Sequence, residues 1–580
     1  MLCWKACYRN MEKRNILIWG AGRIGRGFIG DLFSESGFHL VFVDQSDKLV
    51  ELLSKNGQYT VVRALSDTVI RRIQISDYDA FHVSQAAEIE KAVENTDLIA
   101  VAVFPQSFES TAVDLANLIL KRRAVRPNEP INIILCTNLI HAGPIFKEYL
   151  WKRLSADEKK YFEENVGVVE SLVIRIAPVP PACEVEIDPL VVWTNGYSEL
   201  PVEANAFQGQ APSLPTFRMV SDMRSEEKRK IYTYNMCHAV LAYRGDLYGH
   251  QLLVDCLADP AVRVEAEGAL GEISQALQAE YGFSKTEMDA WIQGVIEQTN
   301  NRTVGDSVVR SAADPLRKLH RDDRLIGPAL LCMKHSIKPA HLIRAIGAAF
   351  SYNKEDDQNS RKLLESIHSK GISNTIKEVC GLGDTAEEMV MAQEIEIAYE
   401  DALIEKKWHE MAVNAYKLGF EYEKVYHGCG QCVYAAASEV LGCFERETFE
   451  AATGLSGGIG LLTDCTCSAF TGAVLVIGNL FPRRRQNFGG DRENKYANFA
   501  LVQQLHDRFV EEFGSITCAC VHQKKYGRTF NMRSKEERDQ FEACGAHSDT
   551  GCPELVGKVA QFTVELLKPA LLSLKKEKTI

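Results

Sequence analysis

No apolar run in this chain approaches the roughly 20 residues that a membrane-spanning helix needs, which argues against a membrane protein. Met1 to Lys13 hold no apolar stretch fit for a signal peptide, so export is not expected and a cytoplasmic location is. Met11 is an alternative start that would leave the first ten residues as an extension. Cations are in short supply too. With 66 Lys and Arg against 78 Asp and Glu, the formal net charge is −12, the wrong sign for a general nucleic-acid or anionic-membrane binder. The run Arg483-Arg484-Arg485 after Phe481-Pro482 is isolated and reads as a solvated loop. Strong compositional bias is absent as well. At 580 residues the chain is too long for one core, and roughly three or four domains are expected.

What is present starts with Asn15-Ile16-Leu17-Ile18-Trp19, a short apolar run suited to a buried parallel strand. It leads into Gly20-Ala21-Gly22-Arg23-Ile24-Gly25-Arg26-Gly27 and then a helical stretch. A second apolar strand, Leu40-Val41-Phe42-Val43, ends at Asp44. This is G-x-G-x-x-G between strand and helix, with an acid about twenty residues on. Gly20 makes the tight turn, Gly22 admits a pyrophosphate, and Gly25 lets helix and strand approach. Phosphates then meet the free N–H groups of the helix N-terminus. Ala21, Arg23 and Ile24 belong to the same cofactor-binding turn. Asp44 would accept from the adenosine ribose and repel a 2′-phosphate, favouring NAD over NADP.

Asp97 to Val103 reads as a further strand, with Phe104-Pro105-Gln106 as the loop at its end and Phe104 placed beside the cofactor. Ile131 to Cys136 is another, ending at Thr137-Asn138. Ligands of open α/β sheets gather at the carboxyl ends of strands, so Asn138 can point at the nicotinamide; a turn-forming Asn is the blander reading. Val166 to Val169 and Leu172 to Ile176 read as extended. From about residue 215 to 405 the texture changes to amphipathic helices. There lies Lys230-x4-Asn235-x2-His238. At roughly 100° per residue the three fall within an arc of about 140°, with His238 in the middle. A buried Lys of lowered pKa can take an alcohol proton while amide and imidazole hold the oxygen, with no metal. An exposed Lys, a helical Asn and a core His are the alternative. Asp314 to Leu325 carries Arg317, Lys318, Arg321 and Arg324, which suit either an anionic substrate or helix-surface salt bridges.

These motifs together resemble the polyol-specific long-chain dehydrogenases. That family includes mannitol-1-phosphate 5-dehydrogenases, mannitol 2-dehydrogenases and the fructuronate and tagaturonate reductases. Gly20 to Gly30 is like its front signature, nearest the mannitol-1-phosphate branch. Pro315-Leu316-Arg317-Lys318-Leu319 and Asp323-Arg324-Leu325-Ile326 match in order, over about residues 14 to 400. The resemblance implies Lys230 as general base, Asn138 and Asn235 as oxyanion-stabilising amides and His238 as the substrate-orienting imidazole. It also implies no zinc, and hydride exchange between NAD and a polyol or ketose, most simply mannitol 1-phosphate and fructose 6-phosphate. Hexuronate reduction is the alternative. A non-catalytic NAD-binding redox sensor is the rival from another class. Where the family carries an acid before the Arg of its V-D-R-I-x-P strand, this chain has Ile174 before Arg175.

Cysteine, sparse earlier, crowds into the last quarter. Cys429-x2-Cys432, Cys465-x-Cys467, Cys518-x-Cys520, Cys544 and Cys552 lie among helical patterns, near Gly457-Gly458-Ile459-Gly460 and Thr471-Gly472. Without export, such crowding points to metal or redox chemistry rather than structural disulfides. The eight could hold an iron–sulfur cluster or another metal. Cys429 and Cys432 could instead cycle as dithiol and disulfide, passing electrons to a partner. Buried free thiols are the third reading. Only one C-x2-C knuckle is present, which disfavours a four-cysteine zinc finger. The segment resembles a family described as redox-active and defined by a C…GCAxxG…C…C pattern. Cys432, Cys467, Cys518 and Cys552 fit the recurring positions, and Ser468 departs from the pattern.

The expected architecture is therefore an extension (1–13), an α/β Rossmann-type NAD-binding domain (14–215), an all-α helical substrate domain (216–405) and a helical cysteine-rich domain (406–580). The expected partners are a small sugar or polyol, phosphorylated or not, and an electron-transfer partner, with no nucleic acid and no membrane.

Overall fold

The computed structural model of the chain describes residues 14–137, 139, 141–490 and 492–577. The chain divides into two compact units, one up to Tyr399 and one from Glu400, the division falling within the helix Ala386–Tyr426. Among the described residues no helix is long and apolar enough to cross a membrane.

The first unit opens with β1 (Asn15–Trp19) and β2 (His39–Asp44), followed by β3 (Tyr59–Ala64), β4 (Ile70–Ile75) and β5 (Tyr78–His82). Then come β6 (Leu98–Val101), β7 (Ile131–Leu135) and β8 (Val166–Glu170). Six of these form one sheet in the order β5-β2-β1-β6-β7-β8, and every pairing is parallel. That is the doubly wound 3-2-1-4-5-6 order, with its switch point between β1 and β6. The unbroken apolar strands follow from burial on both faces. Ile16 and Ile18 pack into one core with Phe28 and Phe42, while Leu17 and Trp19 pack into another with Phe108 and Ile133.

Two smaller sheets had no clear sequence signal. β9 (Val192–Thr194) pairs with β3, which also pairs with β4; β10 (Leu200–Glu203) pairs with β11 (Phe217–Val220). The segment Leu172–Ile176, expected to be extended, is not a paired strand. Next to it only Ser171 makes a bridge, to Val202, and the segment itself joins no ladder. Its course is set instead by Arg175, which donates to Tyr197 O at 2.6 Å, to Gly27 O at 2.8 Å and to Asp31. Arg63 reaches the same carboxylate at 2.7 and 2.8 Å, so a buried Arg–Asp–Arg triad ties three distant segments together.

Beyond β11 the unit is helical. The second unit is helical throughout its regular elements, and Ala415, Val433, Ala473, Phe509 and Val559 share its apolar core.

Candidate functional site

At the carboxyl ends of β1, β6 and β7 lies a cavity of about 690 Å³. Gly22, Arg23 and Ile24 line it from the first turn, Ala102 to Pro105 from the end of β6, and Cys136 and Thr137 from the end of β7. Lys230, Asn235 and His238 line it from the helical region. Residues far apart in sequence therefore face one space at the switch point.

The glycine turn behaves as its spacing requires. Gly20 has φ +103°, and a Cβ there would sit 2.5 Å from Ala102 O. A Cβ on Gly25 would sit 1.8 Å from Gly20 O, so no side chain fits. Gly22 faces open space, with nothing within 4 Å of an added Cβ. Asp44 accepts from the Ala21 N–H at 2.8 Å and the Ser46 N–H at 2.9 Å, which fixes its carboxylate beside the turn. The helix after the turn is not regular α-helix: Gly25–Gly30 is π-helical. Phe104, 81% exposed, stands at the cavity rim.

The Lys–Asn–His stretch carries a second π segment. Helix Met223–Lys230 passes through a π-helical Ile231–Asn235 into helix Met236–Asp246. The uniform 100° spacing assumed from sequence is thus corrected. An i→i+5 ladder turns less per residue than an α-helix and so brings Asn235 nearer to the Lys230 side, and such segments recur at functional sites. Thr233 supports the irregularity by donating to Arg229 O at 2.6 Å and accepting from the Trp291 N–H at 2.8 Å.

Lys230 is 7% exposed. Burial, reinforced by the nearby Arg324 guanidinium, pulls its pKa down to about 8, with Glu227 acting in the other direction. The His238 imidazole is pushed below the ordinary range by burial, although Asp306 lies 3.6 Å from Nδ1, so it stays neutral near pH 7. Its Nε2 is 3.3 Å from Thr299 Oγ1. Asn138 lies outside the described residues.

Sequence reasoning missed Glu227. It is buried three residues before Lys230, and burial followed by Glu170 raises its pKa to about 7. The acid and amine at i and i+3 were the available signal. Of the basic run, Arg317, Lys318 and Arg324 line the cavity with Arg310, whereas Arg321 is turned to Glu388 at 2.6 Å. Local pairs form as well, Arg317 with Asp314 at 2.9 Å and Arg324 with Asp323 at 2.7 Å. Helix-surface salt bridges, the blander expectation, therefore form while three of the four cations still face the cavity. Lys318 is buried deeply enough that its pKa falls to about 7.

The second unit carries the eight cysteines expected as metal ligands or, alternatively, as redox disulfides. Among the described residues, no group of three or more His, Cys, Asp or Glu side chains is placed to hold a metal ion. Cys520 and Cys544 are exposed, and Cys465 turns to Asp464 at 3.6 Å. The remaining five are partly or fully buried. Cys432 donates to His427 O at 3.3 Å, and Cys518 lies 3.6 Å from His522 Nε2. Cys429, Cys518 and Cys552 each open a helix, and Cys467 immediately precedes one. A Thr466–Thr517 bridge and the Cys518 N–H to Cys465 O bond at 3.0 Å hold two of those helix starts side by side. Gly472 permits the close crossing of helices Cys429–Leu441 and Ser468–Leu480, since a Cβ would lie 2.3 Å from Gly430 O.

A doubly wound sheet, a glycine turn with room for a pyrophosphate and a buried amine of lowered pKa are the features of a dinucleotide-dependent oxidoreductase, and the family matches make the first unit an NAD-dependent polyol oxidoreductase. Residues 14–216 match the mannitol dehydrogenase Rossmann domain and residues 222–410 the mannitol dehydrogenase C-terminal domain. The chain belongs to the mannitol dehydrogenase family. It is 35% identical over 373 residues to a mannitol-1-phosphate 5-dehydrogenase of Bacillus pumilus, covering 64% of this chain and 96% of that one. Two solved structures share the fold. A D-sorbitol dehydrogenase in substrate-free form has TM-score 0.56 at 16% identity, covering 68% of this chain and 93% of that one. A Pseudomonas fluorescens mannitol 2-dehydrogenase in ternary complex with NAD and D-mannitol has TM-score 0.54 at 14% identity, covering 68% and 94%. Residues 427–566 match the C_GCAxxG_C_C family, whose members are described as redox-active proteins.

Proposed function

We propose that the first unit interconverts mannitol 1-phosphate and fructose 6-phosphate with NAD, Lys230 serving as general base. The observation that carries this reading is Lys230 in a cavity shared with the glycine turn, its pKa near the working pH. The residues fit the cofactor: Gly22 leaves the space a pyrophosphate needs, Asp44 is held where a ribose would reach it, and Phe104 offers apolar surface for a ring to cover. NAD supplies the hydride acceptor when bound. Lys230 takes the hydroxyl proton, and Asn235 and His238 hold the oxygen as charge develops on it. By family resemblance Asn138 would be the second amide.

The substrate phosphate would meet Arg317, Lys318 and Arg324. Arg324→Ala is expected to raise KM for fructose 6-phosphate about ten- to a hundredfold, the value of a charged hydrogen bond, and to leave KM for fructose unchanged. The same variant shifts the pH profile upward, because Arg324 helps to depress the Lys230 pKa. Equal loss with both ketoses would remove the phosphate assignment.

Asp44→Ser is expected to weaken NADH about ten- to a hundredfold and to erase discrimination against NADPH. Fluorescence titration with each dinucleotide reads both effects, and unchanged discrimination refutes the role. The deciding assay offers fructose 6-phosphate, fructuronate, tagaturonate and fructose side by side with NADH. Turnover confined to fructose 6-phosphate supports the reading. Preference for a hexuronate would assign its carboxylate to the same cations, and no turnover with any would favour the sensor.

A further inference from the structure

We propose that Cys429 and Cys552 form a dithiol that reduces small disulfides, with Glu423 as the proton acceptor. This site belongs to the second unit and does not depend on the reading given for the dehydrogenase cavity. It also replaces the Cys429/Cys432 pairing that the C-x-x-C spacing suggests.

The geometry begins at the end of helix Ala386–Tyr426. Glu423 sits on its last turn, 1% exposed, and the chain then reverses through His427 (φ +58°) and Gly428 (φ +93°). That reversal folds Cys429, the first residue of the next helix, back over Glu423. The Cys429 thiol donates to Glu423 Oε1 at 3.1 Å. Glu423 Oε2 is buried with no partner among the described residues, although His547 Nε2 lies 3.8 Å from Oε1. Burying a carboxyl oxygen without a hydrogen bond is costly.

The second thiol comes from the far end of the unit. Cys552 opens the helix Cys552–Glu577, lies 3.5 Å from Tyr526 OH, and is the hydrogen-bonding neighbour of Cys429. Cys432, one turn into its helix, donates to His427 O at 3.3 Å and also neighbours Glu423. Cys429 and Cys552 each open a helix, but the hydrogen bond to Cys552, burial and the facing Glu423 carboxylate hold the Cys429 thiol well above the ordinary thiol range, so its attack requires the proton to pass to Glu423. Cys429 is only partly covered, which leaves it open to a small reagent, whereas Cys552 is buried behind it. Burial holds the Glu423 pKa above the carboxylate range, which makes it the stronger base.

The chemistry balances without a further reagent. The Cys429 proton passes to Glu423, and the thiolate attacks one sulfur of RSSR. A Cys429–SR mixed disulfide forms and RS⁻ leaves, taking the proton from Glu423 as RSH. The Cys552 thiol gives its proton to Glu423, attacks Cys429 Sγ and expels a second RS⁻, which leaves protonated. The protein dithiol loses two electrons and the disulfide gains them.

The test uses the full chain, reduced and then treated anaerobically with oxidised glutathione, with peptide mapping of the products. The expected product is a Cys429–Cys552 disulfide with release of two glutathione thiols, unchanged in Cys432→Ser. Cys552→Ser should trap glutathione on Cys429, visible by intact mass, and Cys429→Ser should slow thiol release at least a hundredfold. Glu423→Gln should slow it about a hundredfold at pH 7 and recover roughly tenfold per pH unit above that, as solvent takes over the proton. A Cys429–Cys432 product, or a fully reduced wild-type protein, overturns the proposal. So does a Glu423→Gln protein with the wild-type rate.

Discussion

Lys230→Ala is expected to lower kcat for alcohol oxidation by about 10²–10⁴-fold, the usual contribution of a positioned base, while NADH still binds. The reason is burial. At 7% exposure the ammonium has lost most of its hydration, and Arg324 adds like-charge repulsion, so the amine is partly deprotonated near pH 8. Direction follows from the proton. Alcohol oxidation needs neutral Lys230, so kcat/KM should rise about tenfold per pH unit and level off above about 8. Ketose reduction needs the ammonium, so its rate should hold below about 8 and fall above it. Stopped-flow and steady-state assays from pH 6 to 10 read both limbs. A Lys230→Ala protein with wild-type turnover would sink the assignment, as would pH profiles that are flat in both directions.

Asp31→Ala is expected to destabilise the first unit by about 3–5 kcal/mol, because it leaves two buried cations without their shared anion. The Asp31 and Arg175 side chains are fully buried and that of Arg63 nearly so, and only Arg63 has a second carboxylate, Glu35 at 2.7 Å. The damage should reach the cofactor site, since Asp31 directly follows the π segment Gly25–Gly30 and Arg175 also holds Gly27 O. NADH affinity should fall along with the urea midpoint of this unit. Replacing the whole triad, Asp31→Leu with Arg63→Met and Arg175→Met, should recover much of the midpoint, since no unpaired charge then remains. A single variant as stable as the wild type would show that the triad carries no such energy.

The dehydrogenase unit was legible to the extent that its signals are local. β1 and β2 announce themselves because strands buried on both faces must be apolar at every position, and the turn between them because Gly20 and Gly25 leave no room for a Cβ. The brief β9 and β10 carry too few residues to show a period. The π segment at Ile231–Asn235 escaped because its residue types are ordinary for an α-helix; the extra residue per turn is imposed by Thr233, Arg229 and Trp291 after packing.

By itself the sequence determined the doubly wound sheet, the glycine turn with its acid, and the Lys, Asn and His that lie within one stretch of helix. Each depends on residues near one another along the chain, where sterics and periodicity act directly. Only the tertiary structure decided that Arg324 comes near Lys230, that one carboxylate serves two arginines, and that Cys552 is brought beside Cys429. Those contacts join residues distant in sequence, and burial, which sets their charge states, belongs to the packed chain rather than to any segment of it.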